Sequence, residues 1–293
     1  MKLVNIRHML AKAYREKYAV AHININNLEW TKNALEVADE LKAPIIISAS
    51  VGAVKYFGGY NVVSNLVKTM INDLNISTEV ALHLDHGNYE DCIKALNADF
   101  SSIMYDGSHE PFSKNYENTK ALVKLAHAKN VSVEAEIGTI GGEEDGVISS
   151  GELVSDINEA IKMKDLGIDA LAVGINNIHG KYPPEWKSLN FELLDKINQA
   201  CKIPLVLHGG SGIPKNQVKK SISLGIAKIN INTELQIANA EAIKEFVLSK
   251  KIDENKNYDP RKIANYGMQA LREVLKEKFL EFGSANKSKI DND

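Results

Sequence analysis

The chain has 293 residues, 44% of them hydrophobic and 25% charged, with a formal net charge of -3. That length fits two small domains or one large barrel, and the apolar share supports a substantial core. The near-balanced charge gives no field that would select nucleic acid or an anionic membrane as partner.

No apolar run reaches the roughly 18–20 residues of a membrane span, so no membrane partner is expected. The charged N-terminal segment lacks a signal peptide's apolar region, which points to a cytoplasmic protein. Cys92 and Cys201 lie in helix-like segments outside any Cys-x-x-Cys pattern and read as buried, reduced thiols.

In chain order, the apolar spacing predicts an amphipathic opening helix over 5–16. Strands are then expected at 19–24, 44–49, 80–85, 100–105, 131–137, 170–174, 205–208 and 227–231. Helices are expected at 29–41, 61–74, 90–96, 112–129, 155–166, 190–200, 215–224 and 234–250. Eight strands each followed by a helix are the pattern of an α/β fold of the (β/α)8 barrel type, because parallel strands need helical crossovers. The strands read as continuously apolar, as if covered on both faces. An open doubly wound sheet is the alternative, weakened by the lack of Gly-x-Gly-x-x-Gly after the first strand. A single barrel domain over 1–293 is expected, with a surface loop at 251–260, a C-terminal helix at 261–283 and a frayed tail at 284–293.

Barrels of this kind place their chemistry at the C-terminal strand ends. Here the eight ends carry Asn24, Ser48-Ala-Ser50, Asp85-His86, Asp106, Glu136, Asn176-Asn-Ile-His179, His208-Gly-Gly-Ser211 and Asn230-Ile-Asn232-Thr233. His86, His179 and His208 are each followed by glycine. Three neutral imidazoles with a fourth position left open match a catalytic zinc site. The other histidines (His8, His22, His83, His109 and His127) share no such context, although His83 lies two residues before Asp85 and reads as a core group or one that backs the site. Strand alternation sends the Asp85 side chain away from that of His86, which favours a proton acceptor over a further ligand; the alternative is a carboxylate that orients an imidazole. The glycine-rich end at His208 and the Asn232-Thr233 end before a helix suit a phosphate, with Asn232 or Thr233 capping that helix. The 138–151 stretch combines glycines with Glu143, Glu144 and Asp145. It reads as a mobile lid carrying a proton-transfer acid or as a solvated acidic turn.

At Ala21-His-Ile-Asn-Ile-Asn-Asn-Leu-Glu29, Leu84-Asp-His-Gly87, Glu134-Ala-Glu-Ile-Gly-Thr-Ile-Gly-Gly-Glu-Glu-Asp145, Ile178-His-Gly180, His208-Gly-Gly-Ser-Gly212, Lys228-Ile-Asn-Ile-Asn-Thr233 and Asp259-Pro-Arg261 the chain resembles the class II, metal-dependent fructose-1,6-bisphosphate aldolases, a family shared with tagatose-bisphosphate aldolases. The matching segments run almost end to end. The resemblance implies that His86, His179 and His208 hold a catalytic Zn2+. Asp85 would then be the acid/base on the substrate C4 hydroxyl, with Asp106 and Glu136 orienting ligands or holding the metal in a shifted position. For exchange of the C3 proton the acidic stretch offers Glu144, with Glu143 as the alternative. The resemblance implies further that Gly180, Gly209 and Ser211 bind the C1 phosphate, with backbone groups there holding a monovalent cation, Na+ or K+. Asn230, Asn232 and Thr233 complete that pocket, Asn24 and Ser50 touch substrate, and Arg261 reaches the C6 phosphate from a neighbouring subunit, which requires a homodimer or homotetramer. Three positions depart from the family pattern: Val51 replaces an acid, Asn176-Asn177 replace small residues, and Pro183 stands where a lysine is common. Lys181 or Lys187 is a candidate for the missing phosphate contact.

The implied activity is reversible cleavage of fructose 1,6-bisphosphate to dihydroxyacetone phosphate and glyceraldehyde 3-phosphate, in glycolysis and gluconeogenesis. Tagatose 1,6-bisphosphate is the alternative substrate. A metal-dependent phosphosugar hydrolase and a non-catalytic sugar-phosphate-binding protein are the rival readings.

Overall fold

The structure, a computed structural model, describes residues 3–144, 147–149 and 154–288. The chain opens with helix α1 (Ile6–Glu16), started by Asn5, whose side chain accepts the Arg7 N–H, and ended by Lys17 in the left-handed conformation. Ile6, Met9, Leu10 and Ala13 recur at helical spacing on its buried face. They pack on Val20, Ile46, Ala81, Ala170, Ala172, Val206 and Ala227, so α1 closes the N-terminal mouth of the sheet.

From there strand and helix alternate: β1 (Val20–Asn24), α2 (Leu28–Glu40), β2 (Ile45–Ser50), α3 (Val51–Phe57), α4 (Tyr60–Asp73), β3 (Val80–Gly87), α5 (Tyr89–Asn97), β4 (Ser102–Tyr105), α6 (Phe112–Ala128) and β5 (Ser132–Ile137). A hairpin follows, β6 (Gly141–Glu144) and β7 (Val147–Ser149), then α7 (Ile157–Asp165), β8 (Ala170–Val173) and the two-residue β9 (Ile178–His179). The last part is α8 (Phe191–Cys201), β10 (Leu205–Leu207), α9 (Lys215–Ser223), β11 (Ile226–Ile231), α10 (Thr233–Leu248) and α11 (Pro260–Glu281). Eight strands close in the order β1-β11-β10-β8-β5-β4-β3-β2, each neighbour parallel, which is the expected barrel. A main apolar layer lies between barrel and helices, built on residues such as Ile23, Ile45, Leu82, Ile103, Val133, Leu171, Leu207 and Ile229. Both cysteines are free and buried. No helix among the described residues is long and apolar enough to cross a membrane.

Four expectations change. The 51–57 segment is helical, because the Ser50 side chain caps it through the Ala53 N–H and Gly58, at φ +99°, ends it; with Val54 its one fully buried residue, it carries little apolar periodicity. The 138–151 stretch is not simply a loop: β6 pairs with β7 and with β9, bringing Gly142 opposite His179. Residues 284–288 are not frayed. The Asn286 N–H donates to Leu41 and the Ser288 N–H to Lys42, and the Ser288 hydroxyl accepts from Glu79; 289–293 lie outside the described residues. Finally, the strands are not continuously apolar. Residues 22 and 24, 83 and 85, 134 and 136, and 228 and 230 are all polar and all buried, at alternate positions of β1, β3, β5 and β11. They meet inside the barrel, where a polar core replaces an apolar one.

At the opposite, N-terminal rim, buried Asp169 accepts from Arg7 Nε at 2.6 Å, His127 Nε2 at 2.9 Å and the Val133 N–H at 2.8 Å. One carboxylate thereby joins α1, α6 and β5. Asp169→Ala strands a buried N–H and an arginine, and is expected to cost about 2–4 kcal/mol. A thermal-denaturation midpoint below wild type, with activity per folded molecule retained, is the expected result.

Candidate active site and metal-binding cluster

The polar interior rises to the C-terminal rim, where three imidazoles converge. His86, His179 and His208 have ring centroids 4.8–5.7 Å apart, and one nitrogen of each lies within 4.8 Å of the others. Each arrives differently. His208 directly follows β10 and is fully buried. His86 ends β3 with φ +47°, at a shift in the β3–β4 register between Leu84 and Gly87. That irregularity overrides simple alternation, so His86 and Asp85 both serve the same rim instead of opposite faces. His179 lies on β9, outside the barrel sheet, and is brought in by its loop.

The loop is held by side chains that sequence reasoning treated as departures or passed over. Asn177 donates to the His208 carbonyl at 3.0 Å and accepts the Ile175 N–H at 2.8 Å. The Tyr182 hydroxyl donates to the Gly209 carbonyl at 2.9 Å and accepts the Ile178 N–H at 3.1 Å. Gly209, at φ +62°, lies so close to this loop that a Cβ would fall 2.0 Å from the Ile178 oxygen. Glycine is required there to bring His179 beside His208.

Carboxylates set which ring nitrogen faces the cluster. His86 Nδ1–H donates to Asp106 at 2.8 Å, which leaves Nε2 as a lone-pair donor. His208 Nε2–H donates to Glu134 at 3.1 Å, which leaves Nδ1, 3.5 Å from Glu136. Burial, together with the neighbouring charges, pushes His208 down to about 4, so its ring is neutral. Burial works against the charge on Asp106, yet its bonds from His86 and Ser108 hold it well below the usual carboxylate range. Glu134 is likewise opposed by burial but held low by Lys228, whose fully buried ammonium lies 2.8 and 3.0 Å from its two oxygens. His86, Asp106 and Glu136 form a second group with ligand atoms within 4.8 Å. The ring nitrogens that His86 and His208 turn inward, with a carboxylate behind each ring and His179 beside them, fit a divalent metal ion.

Asp85 stands beside this cluster, fully buried. Asn24 Nδ2 donates to its Oδ2 at 2.8 Å, and Asn230 Nδ2 lies 3.4 Å from Oδ1. Burial alone would raise its carboxyl, but the surrounding His22, His86 and His208 hold it well below the usual range. His83, buried with Nδ1 2.7 Å from the Ser102 hydroxyl and Nε2 3.8 Å from Glu134, backs the site. Glu134 and Lys228 went unrecognised as functional because inward-facing residues in mid-strand resemble core positions; their polarity at a two-residue spacing from Glu136 and Asn230 was the available signal.

The remaining predicted residues divide. Gly180 follows β9 at φ +86°, and Ser211 closes the loop after β10 by accepting the Glu234 N–H at 3.2 Å. Asn232, one of the two expected caps, precedes α10 without a side-chain capping bond; Ser211 receives the Glu234 N–H instead, and Asn232 Oδ1 is buried without a hydrogen-bond partner among the described residues. Thr233 begins α10. Ser50 ends β2 opposite Asp85. Glu143 and Glu144 close β6 by their backbone, whereas Asp145 lies outside the described residues. Arg261, at the start of α11, is exposed and pairs with Asp259 instead of with the cluster.

Residues 4–287 match the sequence profile of the family described as fructose-bisphosphate aldolase class-II. The chain belongs to that family. It is 54% identical over 288 residues to the fructose-bisphosphate aldolase of a Mycoplasma pneumoniae strain, covering 98% of this chain and 100% of that one. The fructose-bisphosphate aldolase of Streptococcus pyogenes serotype M1 is 47% identical over 294 residues, with the same coverage. Among solved structures, the YdjI aldolase of Escherichia coli K12 aligns with a TM-score of 0.83 at 34% identity, over 98% of this chain and 100% of that one.

Glu134→Gln removes the counter-charge of Lys228 and leaves His208 only a neutral amide oxygen as acceptor. Affinity for a divalent metal, read by chelator competition, is expected to fall roughly 10- to 100-fold, and unchanged affinity would remove Glu134 from this role.

Proposed function

We propose that the protein is a zinc-dependent fructose-1,6-bisphosphate aldolase, cleaving its substrate reversibly to dihydroxyacetone phosphate and glyceraldehyde 3-phosphate. The observation that carries the reading is the pairing of a three-histidine cluster with a buried carboxylate held by two carboxamides, in a member of the class-II family.

His86, His179 and His208 would hold the ion, and Asp106 and Glu134 fix the rings of His86 and His208. Glu136 and Asp106 are also placed for the second ligand group. When bound, Zn2+ supplies Lewis acidity that polarises the substrate C2 carbonyl and favours negative charge on the ketone half. Asp85 takes the C4 hydroxyl proton. The C4–O pair becomes the aldehyde carbonyl as the C3–C4 bond breaks, and the bonding pair passes to the C2–C3 unit. A proton then returns to C3, a role we assign to Glu144 at the end of β6. Burial among amide donors suits Asp85 to its part, because a fixed carboxylate needs no solvent reorganisation to accept the proton.

Gly180, Gly209, Ser211, Asn230, Asn232 and Thr233 are assigned to the C1 phosphate, an anion that the N-terminus of α10 after Asn232 would favour. Backbone groups at Gly180 and Gly209 are assigned a monovalent cation, Na+ or K+. Asn24 and Ser50 are assigned to substrate. Arg261, exposed and remote in its contacts from the cluster, is assigned to the C6 phosphate of a neighbouring subunit, so the working form is a homodimer or homotetramer in the cytoplasm.

Asp85→Ala is expected to lower kcat for fructose 1,6-bisphosphate by about 10²–10⁴-fold with metal content unchanged. Near-normal turnover would remove Asp85 from its role. Exhaustive chelation should abolish activity, and borohydride with substrate should leave it intact; a borohydride-trapped lysine adduct contradicts the metal reading. Faster turnover of tagatose than of fructose 1,6-bisphosphate would reverse the substrate assignment.

A further inference from the structure

The buried imidazole of His22 is not used by the chemistry above. It has no exposed surface and sits on β1, two residues before Asn24 on the same strand face. Its Nε2 lies 3.2 Å from Asn24 Oδ1 and 3.6 Å from Asp85 Oδ2, and its Nδ1 is buried without a hydrogen-bond partner among the described residues. Burial and the nearby Lys228 ammonium both press the ring towards its neutral form. A neutral imidazole has one proton to place. On Nδ1 it would be an orphaned buried N–H; on Nε2 it meets the Asn24 oxygen.

An amide bonded in this way has only one orientation. With Oδ1 taken by His22, Asn24 must turn Nδ2 towards Asp85, where it donates at 2.8 Å. The flipped amide would set its oxygen against the carboxylate and its NH2 group against the His22 N–H. We propose that His22 is a positioning residue for Asp85: its Nε2–H locks the Asn24 amide, and the amide fixes the rotation of the carboxylate that receives the C4 hydroxyl proton. The proposal rests on the aldolase reading and assigns His22 a part in proton transfer rather than in metal binding.

The two halves of the reaction separate this role from general support of the fold. Cleavage of fructose 1,6-bisphosphate needs Asp85, whereas exchange of the C3 hydrogen of dihydroxyacetone phosphate with solvent deuterium does not. In the zinc-loaded enzyme, His22→Leu is expected to lower kcat for cleavage by roughly 10- to 100-fold, the range for removing one buried hydrogen bond and freeing its partner. KM, zinc content and C3 exchange should remain near wild type. His22→Gln keeps an N–H donor and should restore most of the cleavage. Nitrogen-15 spectra of the wild-type protein should show His22 protonated at Nε2, a readout that holds even if the leucine variant does not fold. Undiminished cleavage in His22→Leu, equal loss of cleavage and exchange, no recovery in His22→Gln, or a proton on Nδ1 would each overturn the proposal. A wild-type enzyme that exchanges the C3 hydrogen but cleaves no ketose bisphosphate would overturn the functional reading beneath it.

Discussion

Glu134 is a carboxylate with no exposed surface, placed inside a closed barrel, and the arrangement of the site follows from how its charge is met. Lys228 reaches it across the lumen from β11, His208 donates to it from the end of β10, and His83 approaches from β3. A buried ion pair is poor evidence of stability, since desolvation offsets much of the attraction and apolar replacements often do as well. Its value here is positional. One oxygen of Glu134 is shared between a lysine and an imidazole, so the ring of His208 has one orientation and one nitrogen left for the cluster.

Roles at the rim are separated by small departures from regular geometry. A strictly alternating β3 would have sent Asp85 and His86 to opposite faces. The left-handed turn at His86 lets one residue stay in the polar interior with Asn24 and Asn230 while the next reaches Asp106 at the rim. Gly209 and Gly142 permit two backbone approaches that no side chain would allow, both against the segment carrying His179. The hairpin after β5 and the loop after β8 are therefore joined, and Glu144 ends a strand whose start is registered against that histidine. The acidic segment and His179, one of the three clustered imidazoles, share one small sheet.

Much of the fold was legible because its signals are local. Apolar runs separated by amphipathic stretches give parallel strands and crossover helices, and the eight barrel strands fall within a few residues of their expected places. The meeting of the three histidines was legible for a related reason: a strand end in such a barrel has a known destination, so histidines at three ends imply a meeting point. The α3 helix was not legible, since seven residues with little apolar periodicity resemble a loop. Nor were the interactions that anchor 284–288, which depend on the distant backbone of Leu41 and Lys42.

The sequence by itself determined the barrel, the three imidazoles, Asp85 as the odd carboxylate among them, and the family, since these depend on residue type and on spacing along the chain. The tertiary structure decided which nitrogen each of His86 and His208 turns inward, that Asn177 and Tyr182 hold the His179 loop, and that His22, Glu134 and Lys228 serve the site instead of filling a core. The contacts of Glu134 with Lys228 and His208 cross the lumen between strands that are neighbours neither in sequence nor in the sheet. Closing the barrel puts their inward side chains in one small volume, where leaving a buried polar group without a partner is costly.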